Sequence, residues 1–145
     1  MAETLGSLSD KLTIVKLKQF HTDDTARLES LSIQEVQLQN EIDEFIAAAV
    51  AGRIAPERLT FAANKVFKEE GNETADVTGS LGQTFSQIAD VNCRLWHAQE
   101  KVYEFETIPA EDKDRFVKKL AVLNLERNKC IDHIDQSFLA IVRSI

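Results

Sequence analysis

The last third of the chain carries the pattern that most restricts its fold, a long stripe whose members are spaced alternately by three and four positions. The stripe comprises Val117, Leu120, Asn124, Arg127, Ile131, Ile134, Phe138 and Ile141. This spacing places all of its members on one side of a single α-helix of about seven turns. Because so long an apolar stripe must pack against other helices, it predicts an all-α, four-helix-bundle-like fold.

Three further segments have helical periodicity and begin at capping signals. The signals are serines followed three positions later by an acid or amide, in the pairs Ser7/Asp10, Ser32/Glu35 and Ser80/Gln83. Turns are expected near residues 29–31 and 107–110, and Pro56 suits the first turn of a short connecting helix. We therefore predict one domain, 1–145, with antiparallel hairpins over about 7–52 and 80–145 and a connector over about 56–71.

The two halves of the chain share short segments in the same order. Gly6-Ser7-Leu8 recurs as Gly79-Ser80-Leu81, and Phe20-His21 recurs as Trp96-His97. Matching segments in a common order are typical of a repeated unit. The pattern predicts that one helical hairpin was duplicated.

The charge of the chain excludes several classes of partner. The formal net charge is −7, which disfavours nucleic acid and anionic membrane surfaces because both repel an acidic protein. No apolar run approaches the roughly 20 residues of a membrane span, and the N-terminus lacks the features of a secretory signal. Cys93 and Cys130 lie in helical patterns without partners at metal-ligand spacing, which indicates reduced thiols and a cytoplasmic protein.

Three segments resemble those of a family of uncharacterised bacterial and phage all-helical proteins. Residues 10–18, DKLTIVKLK, are similar to the family's D-K-L-[ST]-I-x-x-L-K segment, and residues 92–100 to its N-x-x-L-W-H segment. Residues 124–135 are similar to its closing N-x-x-R-N-x-x-I-x-x-I-D segment. The resemblance covers about half of the chain. It implies a helical fold and no particular chemistry.

Polar residues interrupt the apolar stripes at three positions. Asn92 interrupts one helix, and Asn124 and Arg127 interrupt the last one. A hairpin turn at Pro109 brings Asn92 level with Arg127, so we expect all three in one buried layer, with Glu35 as the counter-ion of the guanidinium. The layer is either a hydrogen-bonded network that fixes helix register or a pocket for a small anion.

The residues next to this layer extend the predicted ligand-binding set, which comprises Asn92, Trp96, His97, Asn124, Arg127 and Asn128. A single Trp on a helix is most often a packing anchor, and its indole can also stack on a base or a sugar ring. His97 is expected at the edge of the bundle.

Two carboxylate pairs imitate the magnesium-binding pattern of all-α pyrophosphohydrolases. The pairs are Glu41/Glu44 and Glu73/Asp76. Their oxygens suit Mg²⁺, but the second pair falls in a glycine-flanked loop, so we predict that the four groups do not converge and that no metal or cofactor is needed. The alternative is a Mg²⁺-dependent hydrolase that acts on nucleotides or sugar nucleotides.

Apolar residues outside the predicted core suggest self-association. Leu17, Leu139 and Val142 need cover, which predicts a homo-oligomer or a protein partner. The function expected from the sequence is therefore binding or assembly, and the sequence leaves open whether the protein catalyses a reaction.

Overall fold

Four α-helices account for most of the residues that the computed structural model describes, which are 2–61, 74 and 76–145. They are α1 (Leu5–His21), α2 (Thr25–Val50), α3 (Leu81–Tyr103) and α4 (Ala110–Arg143). Short 3₁₀ turns lie at Pro56–Arg58 and Phe105–Thr107. The described residues include no β-strand. The predicted all-α bundle is confirmed.

The first helix begins earlier than the sequence pattern predicts. Thr4 is its N-cap, because the Thr4 hydroxyl accepts from the backbone N–H of Ser7 at 3.3 Å. The Ser7 hydroxyl accepts in return from the backbone N–H of Thr4 at 2.8 Å. The predicted Ser7/Asp10 capping box is therefore wrong. The correct register places Asp10 in the second turn of α1, where its side chain faces the core.

The turn between α1 and α2 also differs from the prediction. The Thr22 hydroxyl accepts from the backbone N–H of Asp24 at 3.3 Å, and the Asp24 carboxylate caps the helix that begins at Thr25. Asp is a better N-cap than most residues, so these polar residues end one helix and start the next. The predicted turn near residues 29–31 is wrong, and Ser32 and Glu35 lie inside α2 rather than at its start.

The second hairpin follows its sequence signals closely. The Ser80 hydroxyl accepts from the backbone N–H of Gln83 at 3.2 Å, and the Gln83 amide oxygen accepts from the backbone N–H of Ser80 at 2.7 Å. Pro109 precedes the first residue of α4. Since α3 and α4 share the most extensive helix interface, the antiparallel hairpin predicted around Pro109 is confirmed.

The link between the hairpins begins as predicted. Gly52, with a φ of +77°, follows the last turn of α2. The turn at Pro56–Arg58 then leads to Leu59, which is fully buried. The rest of the predicted connector, about 56–71, falls mostly on residues 62–73, which lie outside the described residues.

The core lies between α1, α3 and α4. Its largest fully buried apolar side chains include Ile88, Val91 and Ile134, and α1 contacts both helices of the second hairpin. The most extensive contact of α2 is with α1, and only two of its 26 residues are buried. Because so few of its residues are buried, α2 is a peripheral helix that covers one side of a three-helix core.

The stripe of α4 faces the core only in part. Ile131, Ile134 and Phe138 are buried as predicted, whereas Val117 and Ile141 are 51% and 48% exposed. Because α4 has 34 residues and α1 has 17, the shorter helix covers only part of the stripe. No helix in the described part of the chain combines the length and the apolar character that crossing a membrane requires.

Candidate functional site

A buried polar cluster joins α1 to α3 and α4. Asn92 of α3 is fully buried, and its amide nitrogen donates to Asp10 Oδ1 at 2.9 Å and to Thr13 Oγ1 at 2.8 Å. Both acceptors lie on α1, three positions apart and therefore on the same face. The predicted inward position of Asn92 is confirmed.

Arg127 of α4 faces the same carboxylate. Its Nε lies 3.7 Å from Asp10 Oδ1, which is an ion-pair distance but too long for a hydrogen bond. The Arg127 side chain is 32% exposed. The structure thus brings Asn92 and Arg127 together, as the turn at Pro109 predicts, with Asp10 as the shared carboxylate.

Glu35 is not the counter-ion of Arg127. Its carboxylate accepts from Lys16 Nζ and from Gln19 Nε2, each at 2.9 Å, along the α1–α2 interface. The hydrogen bond from Gln19, followed by that from Lys16, lowers the pKa of Glu35. The prediction is wrong because α2 begins at Thr25, which places Glu35 against the middle of α1.

The other predicted ligand-binding residues lie beside the cluster rather than in it. The Asn124 amide donates to Leu120 O of its own helix at 3.2 Å, and the Asn128 amide donates to Asn124 O at 2.8 Å. His97 is exposed, in agreement with its expected place at the edge of the bundle. The single layer predicted for Asn92, Asn124 and Arg127 therefore forms only between the first and the last of them.

A cavity of about 260 Å³ opens beside the polar cluster. Its walls come from α1, α3 and α4, and its lining residues are Ile14, Asn92, Leu95, Trp96, Gln99, Glu100, Tyr103 and Arg127. Two polar atoms of these walls, Asn92 Oδ1 and Arg127 Nε, are buried and have no hydrogen-bond partner among the described residues. Buried polar atoms are nearly always bonded, so each side chain would gain a hydrogen bond by turning this atom toward a molecule in the cavity.

Trp96 forms a wall of this cavity and stacks on a histidine of α1. The ring centroids of Trp96 and His21 are 4.7 Å apart, with 22° between the ring planes. His21 Nδ1 donates to Leu17 O at 2.8 Å, and His21 Nε2 lies 3.9 Å from a Glu100 carboxylate oxygen. The stacked pair therefore connects α1 to α3 at one end of the cavity.

A second buried carboxylate lies at the N-terminus of α1. Asp135 of α4 is 1% exposed, and its Oδ1 accepts from the backbone N–H of Gly6 at 2.7 Å. Burial raises the pKa of Asp135 to about 6, against the opposing effect of hydrogen bonds from Gly6 and the Thr4 side chain. Asp132 raises this pKa further by charge repulsion.

Gly6 allows α1 to approach α4 this closely. A Cβ at this position would overlap the carbonyl oxygen of Ile131 and would lie 2.9 Å from Asp135 Oδ1. In the sequence, Gly6 stands out only as part of a repeated segment, and no sequence signal marks Asp135 as a buried residue.

Three of the four predicted metal ligands lie within the described residues, and all three are exposed. Glu41 and Glu44 are exposed on α2, Asp76 is exposed before α3, and Glu73 lies outside the described residues. Within the described ranges, no group of three or more His, Cys, Asp or Glu side chains could hold a metal ion. The convergence of all four carboxylates therefore has no support in the part of the chain that is described.

The remaining predictions concern thiols and self-association. Both cysteines are free, Cys93 exposed and Cys130 buried. Burial, with a smaller effect of Glu126, raises the pKa of the Cys130 thiol to about 12. Leu139, predicted to need cover from a second chain, is buried within this one. Self-association stays a prediction, and Phe20 is its strongest candidate contact because it is 85% exposed.

Comparisons with protein-family models, with curated proteins and with solved structures gave no match. The resemblance to bacterial and phage helical proteins and the internal duplication therefore stay predictions.

Proposed function

We propose that the protein binds a small, flat, polar molecule in the cavity between α1, α3 and α4. The observation that supports this proposal is that two residues lining a cavity next to Trp96 each have a buried polar atom without a partner among the described residues, Asn92 Oδ1 and Arg127 Nε. Leaving such an atom without a hydrogen bond costs about 1–3 kcal/mol, so a molecule that bonds both atoms gains affinity from them.

The two atoms define complementary requirements. Asn92 Oδ1 is an acceptor and needs an N–H or O–H group, whereas Arg127 Nε–H is a donor and needs an oxygen or a ring nitrogen. Trp96 and Tyr103 provide aromatic surface in the same cavity. A heterocycle with a donor and an acceptor on one edge, such as a nucleobase or an aromatic amide, meets these requirements.

The charge balance of the cavity favours a neutral ligand over the small anion that was one of the two alternatives drawn from the sequence. Asp10 lies 3.7 Å from Arg127 Nε and already balances the guanidinium. Glu100 supplies a carboxylate to the lining itself. Because an added anion would meet this carboxylate, an uncharged molecule is the better match. The cavity volume of about 260 Å³ is close to the lower end of ordinary ligand sites, so the ligand must be a small molecule.

Trp96 makes the proposal simple to test, because it is the only tryptophan of the chain. Free nucleobases and nicotinamide would be titrated against the protein. Binding would be followed by Trp96 fluorescence, corrected for ligand absorption, and by the melting temperature of the protein, which any ligand that binds only the folded state raises. At least one of these molecules is expected to bind and to change both signals.

Arg127→Lys is the informative variant. Lysine keeps a positive charge near Asp10 but lacks the Nε–H donor, so affinity should fall about tenfold, equivalent to about 1.4 kcal/mol. Arg115→Lys is the matched control, since Arg115 lies on the same helix with a side chain 74% exposed. Undiminished binding by Arg127→Lys, or no binding of any tested molecule at millimolar concentration, would contradict the proposal.

A further inference from the structure

A basic groove lies on the other side of Trp96, between the end of α1 and the first half of α2. Its volume is about 420 Å³, and its lining residues are Lys18, His21, Thr22, Arg27, Ser30, Leu31, Gln34 and Trp96. Three of these residues are basic and none is acidic. In a chain with 24 acidic and 17 basic residues, the groove has the opposite sign to the protein as a whole.

The two strong cations of the groove, Lys18 and Arg27, have no ion-pair partner in the part of the chain that the structure describes. Among the described residues, no salt bridge includes Lys18 or Arg27, whereas the neighbouring lysines of α1, Lys11 and Lys16, pair with Glu3 and Glu35 respectively. A lysine and an arginine facing one groove from different helices form a site for an oxyanion, because both donate charged N–H groups.

Neutral donors line the same groove. The Thr22 hydroxyl oxygen accepts from the backbone N–H of Asp24, and the Ser30 hydroxyl oxygen accepts from the side-chain amide of Gln34, both at 3.3 Å. Since both oxygens act as acceptors here, their O–H protons remain available to donate. These donors would supplement the cations around an oxyanion with several acceptor atoms.

Two carboxylates next to residues of the groove have other partners. The Asp24 carboxylate accepts from the backbone N–H of Arg27 at 2.9 Å, as the N-cap of α2. Glu100 lies 3.9 Å from Nε2 of His21, which stacks on Trp96. Among the described residues, neither carboxylate forms an ion pair with the Lys18 or Arg27 side chain.

We propose that this groove binds the phosphate group of a small molecule, held by Lys18 and Arg27 with support from Thr22 and Ser30. The proposal goes beyond the cavity ligand and does not depend on it. Either inorganic phosphate or a phosphorylated metabolite could supply this group. Binding should weaken as salt concentration rises, because the groove is open to solvent and its charges are screened.

The test is a titration with inorganic phosphate, pyrophosphate and glycerol phosphate at constant ionic strength, with chloride as the balancing anion. Binding would be measured from amide chemical shifts of α1 and α2 and from Trp96 fluorescence. Pyrophosphate should bind more tightly than phosphate because it carries more charge. Preference for inorganic phosphate over glycerol phosphate would identify the free ion as the ligand, and the reverse order would indicate a metabolite.

The decisive variant is Lys18→Gln combined with Arg27→Gln. Both residues are exposed, so the variant should fold, and its phosphate affinity should fall at least about tenfold. Lys119→Gln combined with Arg143→Gln is the control, since it removes the same charge from exposed positions of α4. Arg127→Lys should leave phosphate binding unchanged, which separates this proposal from the one for the cavity.

Three results would overturn the proposal. One is the absence of pyrophosphate binding to the parent protein at millimolar concentration. Another is an equal loss of affinity in the groove variant and in the α4 control, which would indicate a general effect of net charge. The third is a set of chemical-shift changes outside the end of α1 and the first half of α2.

Discussion

Replacing Asp135 by Asn should change how the stability of the protein depends on pH. In the folded protein the pKa of Asp135 is about 6 because the carboxyl group is buried, against an ordinary value of 3.8. The folded state therefore holds a proton at pH values where the unfolded state has released it. Stability must then decrease as the pH rises between these two values.

The size of the effect follows from the two pKa values. Each tenfold change in a protonation equilibrium corresponds to about 1.4 kcal/mol, so a pKa raised from 3.8 to about 6 corresponds to about 3 kcal/mol. Asparagine retains an oxygen that can accept from the Gly6 N–H but carries no charge. The free energy of unfolding of the variant, relative to the parent, should therefore rise by about 3 kcal/mol between about pH 4 and about pH 7.

Chemical denaturation followed by far-UV circular dichroism, repeated across this pH range, measures that difference directly. Other titrating groups affect parent and variant alike, so they cancel in the comparison. Asp114→Asn is the control, because Asp114 is an exposed residue of the same helix. A difference between Asp135→Asn and the parent that does not change with pH would refute the reasoning.

Three further variants or treatments test the helix contacts. Gly6→Ala should destabilise the protein by about 1–3 kcal/mol in thermal unfolding, because the added Cβ meets the backbone of α4, and an unchanged melting temperature would contradict this close approach. Asn92→Ala should cost about 2–3 kcal/mol, since it removes one buried and one partly buried hydrogen bond, whereas a loss below about 0.5 kcal/mol would show that the polar cluster contributes little. A thiol reagent should label Cys93 rapidly in the native protein and Cys130 only on unfolding, and equally fast labelling of both would exclude the burial of Cys130.

The second hairpin could be predicted from the sequence because each of its signals is local. Ser80 and Gln83 cap α3 as a reciprocal pair, and the turn before α4 coincides with Pro109. The alternating three- and four-residue spacing of the helix stripes also predicts that Asn92 and Ile134 face the core, and both are buried. Caps, turns and helical periodicity depend on residues a few positions apart, so one sequence is enough to recognise them.

The first hairpin was less predictable because two capping signals compete at the start of each of its helices. Ser32 and Glu35 have the spacing of a capping box, yet Asp24 starts the helix about two turns earlier. Because the start of α2 was predicted wrongly, Glu35 was also predicted wrongly to lie in the buried polar layer. At the start of α1, the predicted cap made Asp10 a capping residue, so its place in the core was not predicted.

The groove could not be predicted for the same reason. Lys18 and Arg27 come together only when the chain turns at residues 22–24, and a turn near residue 30 would separate them. The signal that could have found this turn is the run Thr22-Asp23-Asp24-Thr25, in which polar residues with good capping properties interrupt the apolar pattern.

The bond between Gly6 and Asp135 also bears on how the chain folds during synthesis. Its two residues are 129 positions apart, and translation at about 5–20 residues per second separates their appearance by roughly 6–25 s. Until α3 and α4 have been synthesised, α1 lacks the two helices that complete the core around Leu5, which is buried in the finished protein. The nascent first hairpin should thus expose apolar surface and be a target for chaperones, while the second hairpin can form from local contacts as soon as it is synthesised.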